Sequence, residues 1–124
     1  ARVLKAYRDT GRFDADCEPA LRAVEWLLRA QDPDGGWGGG PGTPSSVEET
    51  GLAIEALAEP GASEAVQAAL SRGVQWLIDR VESGDWRKPS PIGLYFAKLW
   101  YFEKLYPIIF TVAALGRARR ALSC

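Results

Sequence analysis

The stretch Arg22-Ala23-Val24-Glu25-Trp26-Leu27-Leu28, followed by Gln31 and by Gly35-Gly36-Trp37, has a second copy. That copy is Arg72-Gly73-Val74-Gln75-Trp76-Leu77-Ile78, followed by Gly84-Asp85-Trp86. The offset is 72 − 22 = 50 residues. Self-similarity at a fixed spacing of this size marks a repeat architecture. Within each copy the apolar residues keep helical spacing: Leu21, Val24, Leu27 and Leu28 with Gln31, then Leu70, Val74, Leu77, Ile78 and Val81. Each unit therefore reads as a helix, a glycine turn with a tryptophan, and a second helix. Such a hairpin cannot bury its apolar face alone and must stack on neighbours.

Outward from the repeat, Val47, Gly51, Ile54 and Ala58 mark another helix. Ser46 with Glu49 has the S-x-x-E form of a capping box and opens it. Asp32-Pro33-Asp34-Gly35-Gly36 is a turn, since proline presets φ and glycine allows φ > 0. Residues 38–44 continue it as a loop, and Pro60-Gly61 ends the next helix before Ser63. Ala1–Thr10 is predicted as a helix. Leu94–Lys104 and Ile108–Leu122 are predicted as two more, split at Pro107, which disfavours helix in the residue before it. No strand-like alternation between hairpin turns is evident. The expectation is an all-α chain, one domain over residues 1–124, whose helical hairpins form part of a ring that needs further units to close.

Composition narrows the chemistry. The length suits one domain. An apolar share of 47% and a charged share of 25% are ordinary for a globular protein. Net charge is 15 − 16 = −1, with the charges interspersed, so no electrostatic footprint for nucleic acid exists. The absence of histidine removes His-based triads and most zinc sites. Cys17 and Cys124 make no disulfide framework, which fits a reducing compartment. Ala1–Tyr7 is followed by no apolar core of a signal peptide. Tyr106–Leu115 is about half of the ~20 residues a membrane-spanning helix needs. A start without methionine, in mid-helix pattern, is expected of a fragment or a processed piece.

Arg22, Leu27, Gln31, Gly35 and Trp37 together resemble the QW motif of the triterpene cyclases: basic, hydrophobic, Gln, Gly-x-Trp. The second copy departs from it, with Val81 where Gln should stand. A further stretch is similar in order and spacing to the C-terminal part of squalene–hopene cyclases. It comprises Pro91-Ile92-Gly93-Leu94-Tyr95-Phe96, Trp100-Tyr101-Phe102, Tyr106-Pro107 and Ala114-Leu115-Gly116-Arg117. With Gly36-Trp37-Gly38 and Thr43-Pro44-Ser45, the resemblance runs from Leu21 onward. It implies the (α/α) barrel of the terpenoid cyclase toroid. It also implies an isomerase of hopanoid biosynthesis type, an intramolecular transferase that cyclises a polyprene such as squalene by proton initiation. No metal and no organic cofactor are implied. The implied acid is an Asp-x-Asp-Asp motif, which this chain lacks; Asp14-Ala15-Asp16-Cys17 misses the last Asp. On this reading the chain holds no catalytic residue and supplies cavity wall and barrel closure. The implied partners are the missing N-terminal part of the barrel and the polyprene. The implied location is cytoplasmic, or peripheral on the cytoplasmic membrane.

The resemblance also assigns roles. Gln31, Gly35 and Trp37 would tie hairpins together, the Gln amide bonding backbone at a helix end and the Trp ring covering it; Trp86 would do likewise. Trp26 and Trp76 are expected to pack between helix layers. If Leu94–Lys104 is helical, Tyr95, Leu99, Phe102 and Tyr106 share one face, and Phe96 and Trp100 another. Ring faces attract cations without acting as nucleophiles, which suits a migrating carbocation. The resemblance puts Tyr95, Leu99 and Phe102 at cavity positions, with Leu99 departing from an aromatic. The alternative is ordinary apolar packing. Glu48 and Glu49 stand at a helix start, where capping competes with a proton-donor role that burial would favour. Gly38-Gly39-Gly40-Pro41-Gly42 lacks the Gly-Lys-Ser/Thr ending of a phosphate loop. It is similar to a segment of protein prenyltransferase β subunits, whose Asp, Cys and His zinc site is impossible without histidine. A non-catalytic helical-repeat module binding lipid or protein is the reading from another class. An open half-barrel exposes apolar surface, so the chain is expected to self-associate or bind a missing segment.

Overall fold

The computed structural model describes residues 1–11, 17–40, 42–94 and 99–123, with backbone alone for residues 92–94 and 99. Five helices carry the core: α1 (Arg2–Asp9), α2 (Glu18–Ala30), α3 (Val47–Leu57), α4 (Glu64–Ser83) and α5 (Tyr106–Leu122). Two short strands, β1 (Pro91–Leu94) and β2 (Leu99–Phe102), separate α4 from α5. The class is all-α, as the apolar spacing predicts.

Helix α3 is the hub, with eight of its eleven residues buried. It starts where Ser46 Oγ accepts from the Glu49 amide at 3.2 Å, which satisfies one of the amides a helix start leaves open. It packs against α5, α4 and α1, while α2 packs on α4. The first helices of the two repeats thus stack on each other, and so do the second helices. Gly51 permits the close approach of α3 to α5: a Cβ there would sit 3.0 Å from both Cβ and the carbonyl oxygen of Phe110. Leu4, Ile54, Leu57, Leu70 and Leu77 are fully buried between the layers, each contributing about 1.5–3 kcal/mol. Ser63 caps the start of α4 and Gly84, at φ 83°, ends it.

Three expectations need correction. The expected helix over Leu94–Lys104 is not formed at Leu94 or at Leu99–Phe102, which are extended: β1 pairs antiparallel with β2, with Pro91 opposite Phe102 and Leu94 opposite Leu99. Tyr95 and Phe96 lie outside the described residues. Proline at 89 and 91 blocks helix upstream, and Leu99-Trp100-Tyr101-Phe102 is rich in aromatics that fit a pleated surface. Helical and strand spacing cannot be told apart over so short an apolar run. Second, Tyr106 is already helical, and Pro107 sits in the first turn of α5. Its missing N–H costs nothing there, so the break falls one residue earlier. Third, Trp76 is buried as expected, but Trp26 is 52% exposed and does not pack between layers.

Candidate functional site

The turn after α2 is bound to α4 by side chains of the repeated motif. Gln31 Nε2 donates to the Gly35 carbonyl at 2.8 Å and to the Ala69 carbonyl of α4 at 2.9 Å. Its Oε1 accepts from the Arg72 guanidinium. The Ala69 carbonyl lies inside α4, so the Gln bonds the body of a neighbouring helix and not its end. Trp37 is buried, and its Nε1 donates to the Leu27 carbonyl at 2.8 Å. Its backbone exchanges hydrogen bonds with Thr50 Oγ1, at 2.9 and 3.3 Å. Gly35, at φ 95°, stands where a Cβ would come within 3.0 Å of the Arg72 carbonyl oxygen. Trp76 Nε1 closes the contact, donating to Asp34 Oδ2 at 2.9 Å. Burial works to raise the Asp34 carboxyl. The Gly36 amide, the Ser45 hydroxyl, the Trp76 indole and the Arg80 charge together outweigh it and hold the group below its ordinary value.

The second copy is looser. Trp86 is half-buried against the core, with the Arg87 guanidinium 5.5 Å from its ring centroid. Val81 has no amide to offer where Gln31 bridges turn and helix.

The start of α3 brings two carboxylates together. Glu48 is buried and accepts from Ser90 twice, from the amide at 2.8 Å and the hydroxyl at 2.9 Å. This ties the approach to the hairpin onto α3. Glu49 accepts from the Ser46 hydroxyl, while the Ser46 amide goes to the Trp37 carbonyl at 2.9 Å. Only the Ser46 half of the capping box is therefore present. Burial pushes the Glu49 carboxyl up, its own amide pulls it down, and the neighbouring Glu48 charge pushes it further up. Both carboxylates border a cavity of about 150 Å³ shared with Arg2, Tyr106 and Phe110. The Tyr106 and Phe110 rings are 5.3 Å apart, and the Arg2 guanidinium lies 5.8 Å from the Phe110 centroid.

The aromatic candidates divide differently from a helix. In a strand, alternate residues share a face, so Trp100 goes with Phe102. Trp100 is 69% exposed and Phe102 62%. Leu105, Ile109 and Val112 form an exposed helical stripe along α5. Asp14 and Asp16 lie outside the described residues. Among the described residues no three carboxylates or thiols converge into a set that would hold a metal ion. Thr50 and Ser90 escaped sequence reasoning: each acts through a partner distant in the chain, with no local signal. Asp34 was visible as a turn residue, but its bond to Trp76 was not.

Comparison with known proteins identifies the class. The model of the squalene-hopene cyclase C-terminal domain matches residues 1–120, and the chain belongs to that family. A squalene–hopene cyclase of Bradyrhizobium diazoefficiens is 32% identical over 116 residues, covering 82% of this chain and 17% of that protein. A type B diterpene cyclase of Mycobacterium tuberculosis is 33% identical over 95 residues, covering 75% of this chain and 16% of its own length. Terpentedienyl-diphosphate synthase of Kitasatospora griseola is 38% identical over 85 residues, covering 64% and 16%. The chain spans less than a fifth of the length of these relatives. No solved structure matches it.

Proposed function

We propose that this chain is the wall-forming C-terminal part of a terpene cyclase that works by proton-initiated cyclisation of a polyprene. The family match over residues 1–120 carries the reading. The Gln31–Trp37 clasp supports it as the joint between stacked hairpins of an (α/α) barrel, with residues 1–124 one partial barrel domain. Trp100 and Phe102 would lend ring faces to the cavity, with Leu99 beside them on β2, and the initiating acid would lie in another part of the parent protein. Squalene is named by several relatives, and terpentedienyl diphosphate by another. Among the described residues no helix is long and apolar enough to cross a membrane. We infer a cytoplasmic or peripheral membrane location from the substrate, which partitions into bilayers.

The test is turnover of squalene and of geranylgeranyl diphosphate by the parent protein, with the 124-residue chain as comparison. Cyclic product from the parent alone supports the reading. Product from neither leaves a second reading, a lipid- or protein-binding module, which the exposed aromatic face favours.

A further inference from the structure

The strand that carries Trp100 and Phe102 is anchored through two helices. On one side the buried Glu48 carboxylate of α3 holds Ser90, Oε1 accepting from the amide and Oε2 from the hydroxyl. Ser90 lies between Pro89 and Pro91, whose rings fix φ, so little slack separates this anchor from β1. Pro91 opens β1 and stands opposite Phe102 in the ladder, at the roughly 4.5–5.5 Å that antiparallel partners keep. On the other side Phe102 runs into Tyr106, the first residue of α5, through residues 103–105. The two anchors are themselves held in register. Gly51 of α3 lies against Phe110 of α5. Glu48 comes three residues before Gly51, and Tyr106 four before Phe110, so each shares a helix face with a residue of that contact. A buried carboxylate is costly unless it is bonded, and Glu48 is not needed to start α3, which Ser46 caps.

We propose that Glu48 is a positioning residue for cyclisation: by fixing the base of the hairpin it sets where the Trp100 and Phe102 rings meet the substrate, and so how far ring closure proceeds. The inference rests on the cyclase reading, in which those two rings face the cavity. A ring face holds a cation within about 6 Å. A misplacement of about 1 Å, caused far from the chemistry, can cost on the order of a hundredfold. A carbocation left without its ring loses a proton to water, the C–H electron pair closes an alkene, and a product with fewer rings leaves.

Gas chromatography–mass spectrometry of the parent protein's products tests it, with squalene and geranylgeranyl diphosphate as substrates. Glu48→Ala should raise the ratio of partly to fully cyclised product about tenfold. Glu48→Gln should restore the unmutated ratio, since its carbonyl accepts from the Ser90 amide and its NH₂ can donate to the hydroxyl. Ser90→Ala removes the hydroxyl and keeps the amide; it should shift the ratio the same way by less, and it serves if Glu48→Ala does not fold. Phe102→Ala should raise the same ratio, and Glu48→Ala should add less in that background than alone, because both act through one ring. Partial unfolding would lower turnover and leave the ratio unchanged. A cyclising parent whose ratio is indifferent to Glu48→Ala and Ser90→Ala overturns the inference and leaves the cyclase reading standing. Fully additive effects of Glu48→Ala and Phe102→Ala do the same. A parent that cyclises neither substrate overturns both.

Discussion

The indole of Trp37 lies directly against the backbone of Gly73, so close that a Cβ on residue 73 would sit 2.5 Å from Cζ3. The two residues belong to different repeats. Trp37 is held by its bond to the Leu27 carbonyl, and Ile54 Cγ1 would lie 3.3 Å from the same Cβ. Neither neighbour can swing aside.

Gly73→Ala therefore sets two effects against each other. Alanine within a helix gains about 1 kcal/mol over glycine, while overpacking a tight core costs about 1–3 kcal/mol. The buried ring makes the second prevail, and a net loss on the order of 1 kcal/mol is expected. Thermal denaturation followed by circular dichroism measures it. A variant as stable as the parent would show that the clasp yields easily.

Thr111 offers the opposite case. It is buried in α5 facing the core, and its Oγ1 has no hydrogen-bond partner. A buried hydroxyl left unsatisfied costs about 1–3 kcal/mol. Thr111→Val keeps the shape and removes the group, so the variant should be more stable by about 1 kcal/mol. A lower melting temperature for the valine variant would show that the hydroxyl is satisfied in solution.

The sequence legibility follows the same division between local and distant causes. Residues 22–37 announced helix, turn and tryptophan because spacing, proline and glycine act within a few residues. Ser46 announced the start of α3 for the same reason. The reciprocal Glu49 bond failed because the Ser46 amide is claimed by Trp37, whose approach depends on tertiary packing. Leu99–Phe102 misled because four apolar residues carry no decisive period. The Glu48–Ser90 bond spans 90 − 48 = 42 residues, and nothing local in the sequence points to it.

That bond gives a prediction with its own reporter. Pro89 and Pro91 have no amide proton, so the Ser90 amide alone reports on this stretch. Glu48→Ala removes both acceptors and should speed exchange of that amide by about tenfold or more, since the lost bonds are worth about 1.5–3 kcal/mol each to a charged group. Glu48→Gln should hold exchange near the parent rate, because its carbonyl still accepts from the amide and its NH₂ can donate to the Ser90 hydroxyl. Equal exchange in Glu48→Ala and the parent would mean that the approach to the hairpin is held by other contacts.

Glu49 makes stability depend on pH in a direction opposite to most carboxylates. Burial raises its folded-state pKa above the unfolded value. Between those two values the native chain binds more protons than the unfolded chain, so stability falls as pH rises through that window. The helix start favours the charged form by about 0.3–1 kcal/mol, but the upward shift means that burial and Glu48 outweigh it. Glu49→Gln keeps an acceptor for the Ser46 hydroxyl and removes the charge. It should be more stable than the parent at pH 7, and the advantage should shrink as pH falls toward the ordinary glutamate range. Urea denaturation of both proteins at pH 4 and pH 7 measures the difference. An advantage that is absent at pH 7, or that grows on acidification, would mean that the Glu49 carboxylate is stabilised by its place at the helix start.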